Sequence, residues 1–147
     1  MKYDRILIVA DDSPPSLKAV QYGYDLAAQL HAKVGLIGVT DQALAEGNVD
    51  AGVFPDQAAH LLKKHMEEFL HQVVRDYSNG VETEIFAPEG EVKATVLQMA
   101  KVWDAQLIVA GTHGRKGLNR LLMGSMAEGI LRDSHVPVFI VPIDKEH

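Results

Sequence analysis

A chain of 147 residues, 47% hydrophobic and 23% charged, has the length and composition of one soluble globular domain, expected to span 1–147. A formal charge of −6 argues against a nucleic-acid partner, which asks for a basic face, and the lack of cysteine excludes disulfides, thiol catalysis and cysteine-based metal sites. No apolar run approaches the roughly 20 residues of a membrane span, and Met1-Lys-Tyr-Asp-Arg5 leads into a strand with no signal-peptide core, so a cytoplasmic location is expected.

Arg5-Ile-Leu-Ile-Val-Ala10 is a short apolar run of the kind shown by parallel strands buried on both faces. After Asp11-Asp-Ser-Pro-Pro15 a helix is expected from Ser16 as N-cap, with Leu17, Val20, Tyr24, Ala27 and Leu30 at helical spacing. A second strand is expected at Lys33–Thr40, then a long loop over 41–56 carrying Gly47, Gly52 and Pro55. The helix about 57–78 repeats Leu62, Met66, Phe69 and Val73; His65, near this stripe, reads as packed rather than metal-binding. Val81–Phe86 alternates apolar and polar residues, as a strand exposed on one face does. Gly90 precedes a helix with Val92, Val96, Met99 and Trp103; strand 106–110, a glycine loop, a helix about 119–133 and the run Val136–Val141 complete the chain. Strict β-α alternation specifies a parallel sheet with right-handed crossovers and helices on both faces, whose ligands bind beyond the carboxyl ends of the strands.

The densest chemistry lies in residues 111–126, Gly-Thr-His-Gly-Arg-Lys-Gly-Leu-Asn-Arg-Leu-Leu-Met-Gly-Ser-Met. Gly111, Gly114 and Gly117 follow a buried strand, and Gly124-Ser125 opens a helix. Glycines let backbone N–H groups approach an anion, and a helix N-terminus adds free N–H groups and a positive dipole end. Together they form a phosphate cradle, with Arg115, Lys116 and Arg120 supplying positive charge. The pattern is neither a Walker A loop nor the Gly-x-Gly-x-x-Gly dinucleotide fingerprint. Asp11, beyond the first strand, faces the same crevice if strands one and four are neighbours, and ligand contact is the expected role over simple service to the turn that starts the first helix.

The chain resembles the universal stress proteins over nearly its full length. The most specific likeness is the ATP-binding pattern Gly-x2-Gly-x9-Gly-Ser/Thr, here Gly111, Gly114 and Gly124-Ser125. Leu107-Ile-Val-Ala-Gly-Thr-His-Gly-Arg115, Met126-Ala-Glu128, Ile6-Leu-Ile-Val-Ala-Asp-Asp-Ser13 and His135-Val-Pro-Val-Phe-Ile-Val-Pro142 agree with the family's flanking segments. The resemblance implies an α/β, doubly wound domain with a five-stranded parallel sheet ordered 3-2-1-4-5. It also implies that Asp11 contacts the adenosine part of ATP and that the backbone of Val39 flanks the adenine. Gly111, Gly114 and Gly124, with Ser125 and Met126, would hold ribose and phosphates; Arg115 joins the site as its basic residue. ATP, with Mg²⁺, is the implied ligand, and a homodimer through Val136–Val141 the implied assembly. Asp12 replaces the family's usual glycine, placing an extra carboxylate near the phosphates.

Phosphoryl transfer needs a positioned base and charge-stabilising cations. His113 has no carboxylate partner within the motif, so at most slow ATP hydrolysis is expected. A receiver-domain reading fails because strand three ends Phe86-Ala-Pro88, without the phosphoacceptor aspartate. The expected function is therefore that of a regulatory ATP-binding module. A nucleotide-independent dimeric stress protein and a genuine ATPase stand as the alternatives.

Overall fold

The computed structural model describes residues 2–11, 13–41, 55–112 and 124–142. Five strands form one parallel sheet: β1 (Arg5–Val9), β2 (Lys33–Ile37), β3 (Thr83–Phe86), β4 (Leu107–Gly111) and β5 (Val138–Val141), in the order β3-β2-β1-β4-β5. Helices α1 (Pro14–Leu30), α2 (Pro55–Tyr77), α3 (Val92–Val102) and α4 (Ser125–Asp133) alternate with them. The expected doubly wound α/β fold and its 3-2-1-4-5 order are both present.

Alternation along the strands divides the core in two. Ile6, Ile8, Val34, Leu36, Leu107 and Val109 face α1 and α2, where Val20, Tyr24, Ala27, Leu70 and Val73 pack on them. Leu7, Val9, Ile37, Ile108 and Ala110 face the other way, against Val96, Ala100 and Trp103 of the α3 region and Ile130 of α4. A strand buried on both faces has no polar positions to spare, which is why β1 and β4 read as unbroken apolar runs. The chain winds from β1 outward to β3, then crosses to β4 and β5 on the opposite side. Successive right-handed crossovers in opposite directions put α1 and α2 on one face and α3 and α4 on the other.

Several boundaries differ from the sequence expectation, each for a local reason. The N-cap of α1 is Ser13, not Ser16. Ser13 has extended backbone, its side chain accepts from the Ser16 N–H, and the two prolines occupy the N1 and N2 positions, where no donor is needed. β2 stops at Ile37 because the Ala10 N–H makes the last link from the first strand to it, at 2.9 Å; Gly38 and Thr40 then pair only towards the β3 side. β5 starts at Val138 because the Ser134 hydroxyl bonds both the N–H and the carbonyl of Val136, closing a turn before Pro137. Trp103 caps α3 rather than continuing it, and Leu30 is 40% exposed. Most of the expected 41–56 loop and positions 119–123 of the expected last helix lie outside the described residues. Among the described residues no helix is long and apolar enough to cross a membrane.

Candidate functional site

β1 and β4 are the neighbours at which the winding reverses, so the chain leaves their carboxyl ends in opposite directions. A cleft of about 670 Å³ opens there, running across the ends of β1, β2 and β4. Val9, Val39 and Gly111 lie along its floor, and Asp11, Ser13, Thr40, Asp41 and Thr112 stand on the connections leaving the sheet. This is the crevice in which open parallel sheets hold ligands.

All helices of such a fold start at this edge, and three bring residues of their first turn or cap to the cleft: Ser13 and Ser16 for α1, Val92 for α3, Gly124 and Met126 for α4. Their N-termini are not equivalent. α1 is closed by its own Ser13 side chain and by prolines that carry no N–H. α3 is closed by Glu91, whose carboxylate accepts from the Ala94 N–H at 2.9 Å. Among the described residues α4 alone of these three has no side-chain cap: Gly124 occupies that position with φ 88° and ψ 151°. An uncapped N-terminus leaves backbone donors and the positive end of the helix dipole available to an anion. No residue with a Cβ adopts the Gly124 conformation comfortably, so glycine here shapes the approach to those donors.

The α2 side of the cleft differs in character. Leu62, Met66 and Phe69 form an apolar wall over the end of β2. Gly38 makes that approach possible, since a Cβ on it would lie 2.5 Å from the Met66 sulfur. The Gly38 and Thr40 N–H groups donate to the carbonyls of Phe86 and Pro88 at 3.0 and 2.9 Å. Extended backbone alternates its direction, so the N–H and C=O of Val39 turn towards the β1 side, where β1 has already ended. Neither has a backbone partner among the described residues. The cleft thus has an anion-seeking end at α4 and an apolar end with a free amide edge at Val39.

The sequence model of the universal stress protein family matches residues 2–142. The chain belongs to the universal stress protein family. It is 32% identical over 147 residues to the universal stress protein MJ0531 of Methanocaldococcus jannaschii, covering 98% of this chain and 85% of that one. Among solved structures, the hypothetical protein MJ0577 superposes with a TM-score of 0.86 at 18% identity, covering 99% and 100% of the two chains. A universal stress protein in complex with cAMP superposes at 0.67 and 20% identity, covering 97% and 98%. At these structural identities the likeness is one of fold.

In this universal stress protein the cleft gathers five of the candidate residues: Asp11, Val39, Gly111, Gly124 and Met126. Ser125 opens α4 beside them and is exposed. Gly114 and Arg115, with Asp12 and His113, lie outside the described residues. The Asp11 carboxylate accepts from the Ser13 N–H at 2.8 Å, and its own N–H donates to Ser16 Oγ at 2.7 Å. It therefore serves the turn and lines the cleft at once.

Sequence reasoning missed the contribution of α2. His65 is exposed and lines the cleft instead of packing with the apolar stripe. Its neighbour Met66 packs against the core, as its spacing predicts, and also forms part of the cleft wall. Spacing shows that a helix has an apolar face; it does not show that the end of this face overhangs a sheet edge rather than the sheet. Among the described residues no three His, Asp or Glu side chains cluster to hold a metal ion.

Proposed function

We propose that this universal stress protein is a regulatory module that binds an adenine nucleotide, with ATP as the ligand, in the cleft beyond β1 and β4. The observation that carries the reading is the uncapped N-terminus of α4 at the cleft, beside two helix starts that are capped. The adenine edge meets the N–H and C=O of Val39, which offer a donor to ring N1 and an acceptor to the exocyclic amine. Asp11 reaches the ribose with the carboxylate oxygen that the turn leaves available. Gly111, Gly124 and Ser125 present backbone donors to the phosphates, with Met126 against the sugar; the glycine pattern of the sequence adds Gly114 and the basic Arg115 to the same set. Mg²⁺ arrives with the triphosphate, bound mainly by phosphate oxygens and water. The solved family member holding cAMP supports an adenine nucleotide as the ligand class. The whole chain acts as one such domain and pairs through β5 into a homodimer.

Hydrolysis is at most slow. His65, the histidine seen at the cleft, stands on α2, on the opposite face of the sheet from α4. Calorimetry with ATP, ADP and AMP in the presence of Mg²⁺ tests the reading. Affinity should fall as phosphates are removed, since each charge-assisted hydrogen bond contributes about 1.5–3 kcal/mol. Equal affinity for all three would show that the α4 end does not read phosphate.

A further inference from the structure

Thr40 carries a polar atom that the fold leaves unused. The residue is 4% exposed, and its Oγ1 has no hydrogen-bond partner among the described residues. Buried hydroxyls are nearly always paired, so an unpaired one calls for a reason. The backbone of Thr40 is fully engaged: its N–H donates to the Pro88 carbonyl at 2.9 Å, and its own carbonyl accepts from the Gly90 N–H at 3.0 Å. This holds the residue firmly, in an isolated bridge to Glu89, while its side-chain oxygen is left unpaired among the described residues. Gly38, two residues earlier and on the same face, meets Met66 and Leu70 of α2. Thr40 thus lies at the α2 side of the cleft, next to the free amide edge of Val39 and among the lining residues Leu62 and Met66.

We infer that Thr40 is a specificity-determining residue whose hydroxyl pairs with the heterocycle of the bound nucleotide. The inference rests on the nucleotide reading above and adds a contact to it. Without ligand the oxygen is enclosed, and rotation of χ1 between staggered wells carries it around Cβ towards the cleft. A hydroxyl both donates and accepts, so it matches the ring nitrogens and amines of a base and has nothing to offer an apolar ring. An unpaired hydroxyl raises the free energy of the empty protein, and pairing it on binding adds that difference to affinity. Thr40 thereby favours a polar heterocycle over any flat apolar molecule that the Leu62, Met66 and Phe69 wall would otherwise accept.

Calorimetry on the full chain with ATP and with tripolyphosphate, for wild type, Thr40→Val and Thr40→Ser, decides the matter. Thr40→Val keeps the shape and removes the hydroxyl. It should weaken ATP about tenfold, leave tripolyphosphate unchanged, and melt at the same or a higher temperature than wild type without ligand. Thr40→Ser restores a hydroxyl and should bind ATP within about threefold of wild type. Equal ATP affinity in wild type and Thr40→Val overturns the inference while leaving the nucleotide reading intact. Equal losses for ATP and tripolyphosphate also overturn it, because Thr40 would then act on the fold and not on the base. A wild type that binds neither ligand removes both readings.

Discussion

Gly124 and Asp11 each do two things, and their substitution should separate the two. Gly124 sits at φ 88° and ψ 151°, in a region populated almost only by glycine. Gly124→Val should destabilise the chain by about 1–3 kcal/mol and also lose ATP and tripolyphosphate binding, through a Cβ at the entrance to the α4 donors. Wild-type affinity for tripolyphosphate in this variant would move the anion site elsewhere. Asp11 ties its carboxylate to the Ser13 N–H, so Asp11→Ala should lower stability by about 0.5–1.5 kcal/mol besides weakening ATP. Asp11→Asn keeps the turn acceptor and should restore stability without restoring full affinity. Thermal melts and titrations on the pair distinguish a turn residue from a ligand residue.

At the scale of the element, α1 is held at both ends. Ser13 caps its start, and Ser13→Ala should cost about 1 kcal/mol, read as a fall in Tm of a few degrees in a chain of this size. Further along the helix, the Tyr24 hydroxyl shares a 2.9 Å hydrogen bond with Thr83 at the start of β3. Burial raises the Tyr24 pKa above 10.0, partly offset by the Thr83 hydrogen bond. A raised folded-state pKa means that the unfolded chain releases its proton first. The stability this group contributes is then intact below pH 10 and lost as pH climbs through the folded value. Tyr24→Phe should flatten this alkaline decline in a plot of Tm against pH; an unchanged slope would assign the decline to other groups. On the opposite face, Lys93 of α3 pairs with Asp133 at the end of α4, and this pair holds the Asp133 carboxylate below its ordinary range. Its contribution is present above pH 3.8 and fades as acid protonates the carboxylate.

At the scale of the whole molecule, assembly depends on the sheet edge and turnover on the cleft. β5 pairs with β4 on one side and forms one edge of the sheet. Within the expected Val136–Val141 interface, Val138 and Ile140 are half-buried and pack on the α3 and α4 cluster, whereas Phe139 is 39% exposed. Lysine at 138 or 140 would therefore disturb the core as well as any interface. Phe139→Lys is the cleaner probe: light scattering should give twice the chain mass for wild type and a shift towards monomer for the variant. A monomeric wild type at micromolar concentration would defeat the proposed pairing. Phosphate release from ATP should stay below about 1 s⁻¹, the low end for ordinary enzymes, and disappear in Gly124→Val. A faster rate that vanishes in that variant would favour a true ATPase.

The fold was largely legible in the sequence, because burial on both faces of a parallel sheet forces unbroken apolar strands and helical stripes that cannot be confused with half-exposed ones. Arg5–Val9 and Leu107–Gly111 announced themselves this way, and of the glycine pattern read as a phosphate loop, Gly111 and Gly124 both line the cleft. Local pattern carries no information about how chain-distant ends meet. Two helix starts closed by Ser13 and Glu91 beside an open third, and an amide at Val39 freed because β1 ends first, exist only once the strands are in register. Likewise the placing of His65 and Met66 over a cleft, and the enclosure of the Thr40 hydroxyl without a partner, depend on α2 overhanging the sheet edge. Helix and strand propensities are properties of neighbours in the chain; which polar groups are left unsatisfied is a property of neighbours in space.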